Sequence, residues 1–374
     1  MSESEIEARV LSGKSWEDFC DALKEAGKQV LRPEAPSSVL DRAEGWRYLS
    51  RLLRLGLESK LEFSDTDFPG VYALSHETAK IGADNPDNIY HNITIDGSKE
   101  YRIFGKRGTV PYFSWGTKVN RYTTDGTMAS IGELNSDSLI VEADGTYEII
   151  LSQTRKGKNW LPIAPDSTMV LGRQTFLDRK TEIPATAKVE RIGGPKHPEP
   201  LSAERLERGL QETAAFVLGT ARAFADLSAD FKRKPNDWIT TEQEHWYRIG
   251  GDPKIFYLHL YWELEPDEAL VIESKVPECA FWNLQVDNWW WESLDYRHLP
   301  VHVQKGNAKL NKDGSVMIVI AAKDMGVGNY LDTAGHTAGT VLMRWVDAKS
   351  HPIPTCRVVK LSETIESLEG EGDG

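Results

Sequence analysis

Apolar positions along this chain follow two periods, one helical and one of alternating residues, and the two textures succeed each other twice. The chain up to Lys60 reads as helix. Ser15 is placed to cap a helix over residues 16–30, with Glu17 and Asp18 in its first turn. Pro33 and Pro36 interrupt the pattern. Ser38 then opens a helix over 39–60, where Leu40, Trp46, Leu49, Leu52, Leu53 and Leu57 recur at helical spacing. From Ile81 to Ile192 the chain changes to short β-branched and aromatic runs separated by Gly, Asp and Asn turns. Residues 193–200, rich in Gly and Pro, read as a linker. Ser202 caps a long helix to about residue 231, with Leu206, Leu210, Ala214, Val217, Leu218 and Ala221 on one face. Residues 249–361 are β-rich again, and the acidic segment 363–374 is expected to be disordered.

A helix-then-β order that occurs twice predicts an internal repeat. Ile81-Gly82-Ala83-Asp84 matches Ile249-Gly250-Gly251-Asp252, and Tyr112-Phe113 falls opposite Phe281-Trp282. Asp144-Gly145-Thr146 matches Asp313-Gly314-Ser315, each a turn signal ahead of an apolar strand. Asn159-Trp160-Leu161 matches Asn329-Tyr330-Leu331, while Arg173, Pro184 and Val189 lie opposite Arg344, Pro354 and Val359. The predicted fold is mainly β with helical additions: two related β-sandwich or jelly-roll-like domains from an internal duplication, each preceded by a long helix. The expected divisions are an N-terminal helical segment (1–33), helix plus first β domain (34–192), helix plus second β domain (201–362), and the tail.

Residues common to both copies read as scaffold, with Asn159 and Asn329 bracing loops and Arg173 and Arg344 pairing with acids or carbonyls. Residues found in one copy are freer to act chemically. The second copy alone continues Asp332-Thr333-Ala334-Gly335-His336, an acid and a histidine in one loop, which can supply a base and the group that orients it. The second copy also carries Asp287-Asn288-Trp289-Trp290-Trp291-Glu292, where the first has one aromatic and no carboxylate at Lys118 to Tyr122. On strand periodicity Trp282, Leu284, Val286 and Trp290 face a core, and Asn283, Gln285, Asp287 and Trp289 face the other way. The run 257–264 repeats this, with Tyr257, His259, Tyr261 and Glu263 opposite an apolar row. Such mixed faces fit the lining of a pocket, or a polar layer under a covering helix or subunit. His298 and His302 could join His259, Glu263, Asp332 and His336 around a metal, but no tight ligand motif is present, so no metal is expected.

Composition narrows the classes further. A net charge of −13 with no large Lys/Arg cluster argues against nucleic acid. No apolar stretch is long enough to span a bilayer, and the acidic start lacks a signal-peptide core, so a cytoplasmic protein without membrane contact is expected. Three scattered cysteines (Cys20, Cys279, Cys356) fit reduced thiols. No G-x-G-x-x-G, P-loop or G-x-S-x-G is present, so no organic cofactor is expected.

The segment from Asp313-Gly314 through Asn329-Tyr330-Leu331-Asp332-Thr333-Ala334-Gly335-His336 to Arg344-Trp345 resembles the bacterial domain-of-unknown-function family 1214, as do Asp287–Ser293 and Asp295-Tyr296-Arg297. The resemblance spans about residues 250–362, and the N-terminal half is similar to what precedes that domain in long members. It implies a β-rich, jelly-roll-like fold, supplies no established activity to carry over, and leaves function open. Position 330 is Tyr where the family more often has Trp.

The expected function is therefore a cofactor-independent acid–base enzyme, a lyase, hydratase, isomerase or hydrolase, acting on a small, partly apolar molecule in the second domain. His336 would be the acid or base and Asp332 its partner. Asp287 or Asp295 would add a carboxylate, and Arg297 or Arg344 would hold an oxygen. Tyr257, His259, Tyr261, Glu263, Asn283, Gln285, Trp289, Trp291 and His298 would bind the substrate. A non-catalytic small-molecule or carbohydrate binder, or a homo-oligomer assembled through the Trp-rich face, are the alternatives.

Overall fold

The structure, a computed structural model, describes residues 1–121 and 125–362. Tyr122 and the tail 363–374 lie outside the described residues. The helices that precede or separate the β domains are α1 (Glu3–Ser12), α2 (Lys14–Gly27), α3 (Val39–Leu57) and α4 (Ala203–Phe231), with a short α5 (Gln243–Arg248). Ser38 and Ser202 cap α3 and α4 by accepting from the Asp41 and Arg205 amides, as expected. Ser15 caps nothing. It lies inside α2, whose N-cap is Gly13 in the left-handed region at φ 80°. The preceding segment forms α1 behind a Ser2–Glu5 capping box.

The first copy contains β1 (Asn88–Thr94), β2 (Tyr101–Lys106), β3 (Tyr112–Arg121), β4 (Thr127–Asn135), β5 (Thr146–Ser152), β6 (Trp160–Pro162), β7 (Met169–Thr175) and β8 (Lys188–Arg191). The second contains β9 (Trp238–Ile239), β10 (Ile255–Glu263), β11 (Glu268–Lys275), β12 (Phe281–Asp287), β13 (His302–Gln304), β14 (Ser315–Ala321), β15 (Tyr330–Asp332), β16 (Ala338–Val346) and β17 (Thr355–Lys360). The first sandwich pairs sheets β1-β7-β3-β4 and β6-β5-β2-β8. The second pairs β9-β10-β16-β12-β13 with β15-β14-β11-β17. From β10 onward the strands match β1 to β8 one for one in both sheets, including the parallel pairs β5–β6 and β14–β15. The repeat extends to single side chains. Asn159 bridges Ile140 and Glu148, and Asn329 bridges Lys309 and Met317 in the same way.

Each sandwich has its own apolar filling, because alternate residues of facing strands point inward. Leu258, Leu260, Trp262, Trp282, Leu284 and Val286 fill the second, as their period predicts. Trp290 does not belong to that row. β12 ends at Asp287, and Asn288 turns the chain by accepting from the Trp290 and Glu292 amides through its side chain. Trp289, Trp290 and Trp291 consequently all join a separate core against α3 and α4.

That core also rotates the buried face of α3. Gly45, Tyr48, Leu52 and Leu55 are buried, whereas Trp46 and Leu40 are exposed. A side chain at Gly45 would meet Trp290 and Val30 at 2.7 Å. The helix therefore approaches the tryptophan loop through a position that must stay small. The apolar residues of α4 face inward as expected, at Leu210, Ala214, Val217 and Ala221. Among the described residues no helix is long and apolar enough to cross a membrane.

Candidate functional site

The outer faces of sheets β1-β7-β3-β4 and β10-β16-β12 turn toward each other and border a cavity of about 210 Å³. Its walls come from equivalent positions of the two copies. In the first copy the cross-strand pairs Asn88–Thr175, Tyr90–Arg173 and Asn92–Leu171 line it; in the second, Ile255–Val346, Tyr257–Arg344 and His259–Leu342 do. One end is closed by Phe216 and Phe224 of α4, Trp246 of α5 and Trp291. The cavity therefore belongs to both domains, not to the second alone.

The Ile-Gly-x-Asp repeats explain how the halves dock. Arg344 of the second copy donates to the Ala83 carbonyl in the first copy's repeat. Arg173 of the first copy donates to the Gly250 carbonyl in the second copy's repeat, at 3.2 Å. Tyr90 and Tyr257 accept through their hydroxyls from the Asn85 and Asp252 amides. Each arginine thus reaches across to the other copy's loop.

The two arginines differ in their counter-ions. Arg173 lies 3.7 Å from the Asp252 carboxylate, which also accepts from the Tyr112 hydroxyl. Arg344, only 6% exposed, donates to Gln285 Oε1 at 2.6 Å and Asn283 Oδ1 at 3.4 Å. Among the described residues no carboxylate lies within 4.0 Å of it. Asp84 accepts instead from the Ser293 amide and hydroxyl.

His259 is buried between two tilted indoles, with ring centroids 4.1 Å from Trp246 and 4.9 Å from Trp291. Burial first, then the Arg344 charge and nearby His245, hold its pKa well below the ordinary histidine value, so the ring is neutral at neutral pH. Its side chain makes no hydrogen bond among the described residues. The first-copy counterpart, Asn92, is satisfied by the Leu74 amide. A depressed pKa makes His259 a stabilising group above about pH 6.5 whose contribution is lost as pH falls toward its folded value. His259→Gln should therefore flatten the pH slope of unfolding free energy below about pH 6.5. His91, pushed down to about 4 by burial, contributes the same sign in both proteins. Urea titrations across that range check this, and an unchanged slope would contradict it.

Of the residues expected to act, Arg344, Tyr257, His259 and Trp291 line the cavity. Asn283, Gln285 and Asp287 form a buried polar layer covered by residues 83–85. Asn283 donates to Asn85, and Gln285 donates to the Asp84 carbonyl and to Asp287. Burial, opposed in part by the Gln285 bond and assisted by Asp84, pushes the Asp287 carboxyl well up. Tyr261 and Trp289 sit in the helix-side core, and Glu263 is exposed at the strand end.

The Asp332–His336 dyad does not form as expected. Asp332 accepts from the Ala334 amide at 2.6 Å and the Tyr330 hydroxyl at 3.0 Å. His336 is buried, and its Nδ1 lies 2.7 Å from Asp41 of α3. This pair fastens the α3 N-terminus to the second domain, a partner that a loop comparison within the β domains could not supply. Asp295 and Arg297 pair with each other at the surface, which lowers the Asp295 carboxyl to about 2. His298 is exposed, and His302 pairs with Asp87. Among the described residues no group of three His, Cys, Asp or Glu side chains could hold a metal ion.

Burial raises the Asp41 carboxyl, and the His336 and Ser38 bonds outweigh it, so the net shift is downward. A lowered carboxylate stabilises above its unfolded pKa of about 3.9 and loses that contribution as pH falls through its folded value. Asp41→Asn should cost about 1–3 kcal/mol at neutral pH, and the gap from wild type should close in acid. Denaturant midpoints at several pH values measure it; a gap that is constant with pH would count against an ionised Asp41 carboxylate at this contact.

Tyr90, Tyr112, Arg173, Trp246 and Phe224 also line the cavity, and the sequence pattern does not mark them as site residues. Trp246 is carried by α5, whose Gln243 side chain pairs with both backbone groups of Tyr257 and docks the helix on β10. The signal for Arg173 was the repeat itself, read the other way: a shared residue lines the cavity.

A crystal structure of an uncharacterized protein from Burkholderia cenocepacia matches 95% of this chain and 99% of that chain, at 49% identity and a TM-score of 0.93. The chain belongs to that protein's family. Residues 90–174 match the family described as "Protein of unknown function (DUF1214)". The match falls on β1 to β7, in the first copy, whereas the resemblance noted from sequence lay in the second. A protein from Vibrio parahaemolyticus, 11% identical with a TM-score of 0.48 over 91% of this chain and 100% of that chain, is too remote to inform this one. No match was found among curated proteins.

Proposed function

We propose that the protein binds a small, largely apolar molecule in the cavity between its two β domains. The observation that carries this reading is the cavity's composition: aromatic and aliphatic walls with a few polar groups, Arg344, Tyr257 and His259 among them. The left-handed backbone of Trp291, at φ 58°, supports it too. A bulky residue in that region is strained, and strain collects at functional sites. An apolar cavity of about 150 Å³ holds benzene. The 210 Å³ here has room for one aromatic ring and a small substituent. Ligand-observed NMR with indole tests the reading. Saturable binding to the wild type that disappears in Leu342→Trp, with the far-ultraviolet spectrum unchanged, is expected. Equal binding to both proteins would place the ligand elsewhere.

Acid–base catalysis in the same cavity is the second reading, favoured by a neutral, hydrogen-bond-free imidazole at His259. It requires that a screen of aryl esters and enones find one that the wild type converts and His259→Gln does not, while both bind indole. Identical background rates would leave the binding reading alone.

A further inference from the structure

The duplicated arginines provide an internal comparison that points to the ligand's chemistry. We propose that the cavity takes a monocarboxylate with an apolar body, its carboxylate held by Arg344; this rests on the cavity being a ligand site. Arg173 and Arg344 occupy equivalent positions, each opposite the equivalent tyrosine across a strand pair. The first has a fully buried carboxylate, Asp252, at 3.7 Å. The second has only neutral acceptors, Gln285, Asn283 and the Ala83 carbonyl, and its Nε donates to nothing among the described residues.

A buried guanidinium without a counter-ion is unfavourable, because its lost hydration is not replaced by an opposite charge. The acids nearby do not fill that place. Asp84 is turned to Ser293, with the buried Lys80 ammonium close by on the Ser293 and Leu294 carbonyls. Asp287 is bonded to Gln285 and, being buried, favours its neutral form. His259, one residue pair along the same sheet face from Arg344, adds no charge. A ligand carboxylate is the group that completes this arrangement, since planar oxygens match the guanidinium fork. The apolar remainder then lies against Trp246 and Trp291.

The test compares phenylacetate with phenylacetamide, near-isosteres that differ in charge, by competition against indole in ligand-observed NMR. Phenylacetate should bind at least about tenfold more tightly to the wild type, as expected for a desolvated charged hydrogen bond over a neutral one. Arg344→Gln should erase that preference while keeping indole binding, and Arg173→Gln should keep it. If Arg344→Gln does not fold, the wild-type comparison of acid with amide decides. Indole binding with no preference for the acid would overturn the carboxylate assignment and leave the cavity reading standing. Failure of indole, acid and amide alike would overturn both.

Discussion

Trp290→Ala should destabilise the protein by about 3–5 kcal/mol, the usual range for emptying a buried tryptophan site. The side chain is 1% exposed and stacks on Tyr48 of α3 at 6.0 Å between centroids. It also meets Trp289 edge-on at 4.6 Å and covers the closest approach of α3, at Gly45. Tyr48 would lose its stacking partner from the second domain, so α3 should loosen along with the loop. Urea-induced unfolding followed by fluorescence and by circular dichroism checks the magnitude. Gly45→Ala gives an independent check through coupling. Its cost should be large in the wild type and smaller beside Trp290→Ala, since the clash with the ring at 2.7 Å is removed while the one with Val30 at 2.7 Å stays. Additive costs would mean that the contact does not bear on stability.

Trp291→Gly should act differently, abolishing ligand binding while costing less stability than Trp290→Ala. Trp291 closes the cavity, stacking on Phe224 at 5.3 Å and donating from its indole to Ser228 Oγ at 2.9 Å. Its backbone is left-handed. Glycine removes a strain of roughly 1 kcal/mol that partly offsets the lost packing. The same backbone holds the Ala83 amide, which donates to the Trp291 carbonyl at 2.7 Å, and glycine can keep that bond. Indole affinity should fall by at least about thirtyfold, corresponding to roughly 2 kcal/mol of lost contact. Stability and affinity measured on both variants separate a residue that holds the fold from its neighbour that shapes the site. Retained indole affinity in Trp291→Gly would remove this ring from the proposed site.

Much of the architecture was legible because turns and strand alternation are local properties. Asp144 and Asp313 each accept from the backbone and hydroxyl of the residue two ahead. Those turns mark equivalent hairpins in both copies. Ser38 and Ser202 announce α3 and α4 for the same reason. The site was less legible because it is made by two faces distant in sequence. Treating shared residues as scaffold was right for Asn159 and Asn329, which tie loops together. The same rule hid Arg173, which lines the cavity from the first copy. The strand period could not place Trp290, since alternation stops where Asn288 turns the chain. His336 was expected to find an acid in its own loop, and it found Asp41, far back along the chain at the start of a helix.

The claim that most needs testing is that the two copies share one site. Leu171 and Leu342 are equivalent residues on opposite walls of the cavity. Indole should therefore be titrated into Leu171→Trp, which fills the cavity from the first copy and touches no sequence element of the second. Loss of binding with the fold intact is the expected result. Undiminished binding in Leu171→Trp, with loss only in Leu342→Trp, would contradict a shared site and return it to the second domain alone.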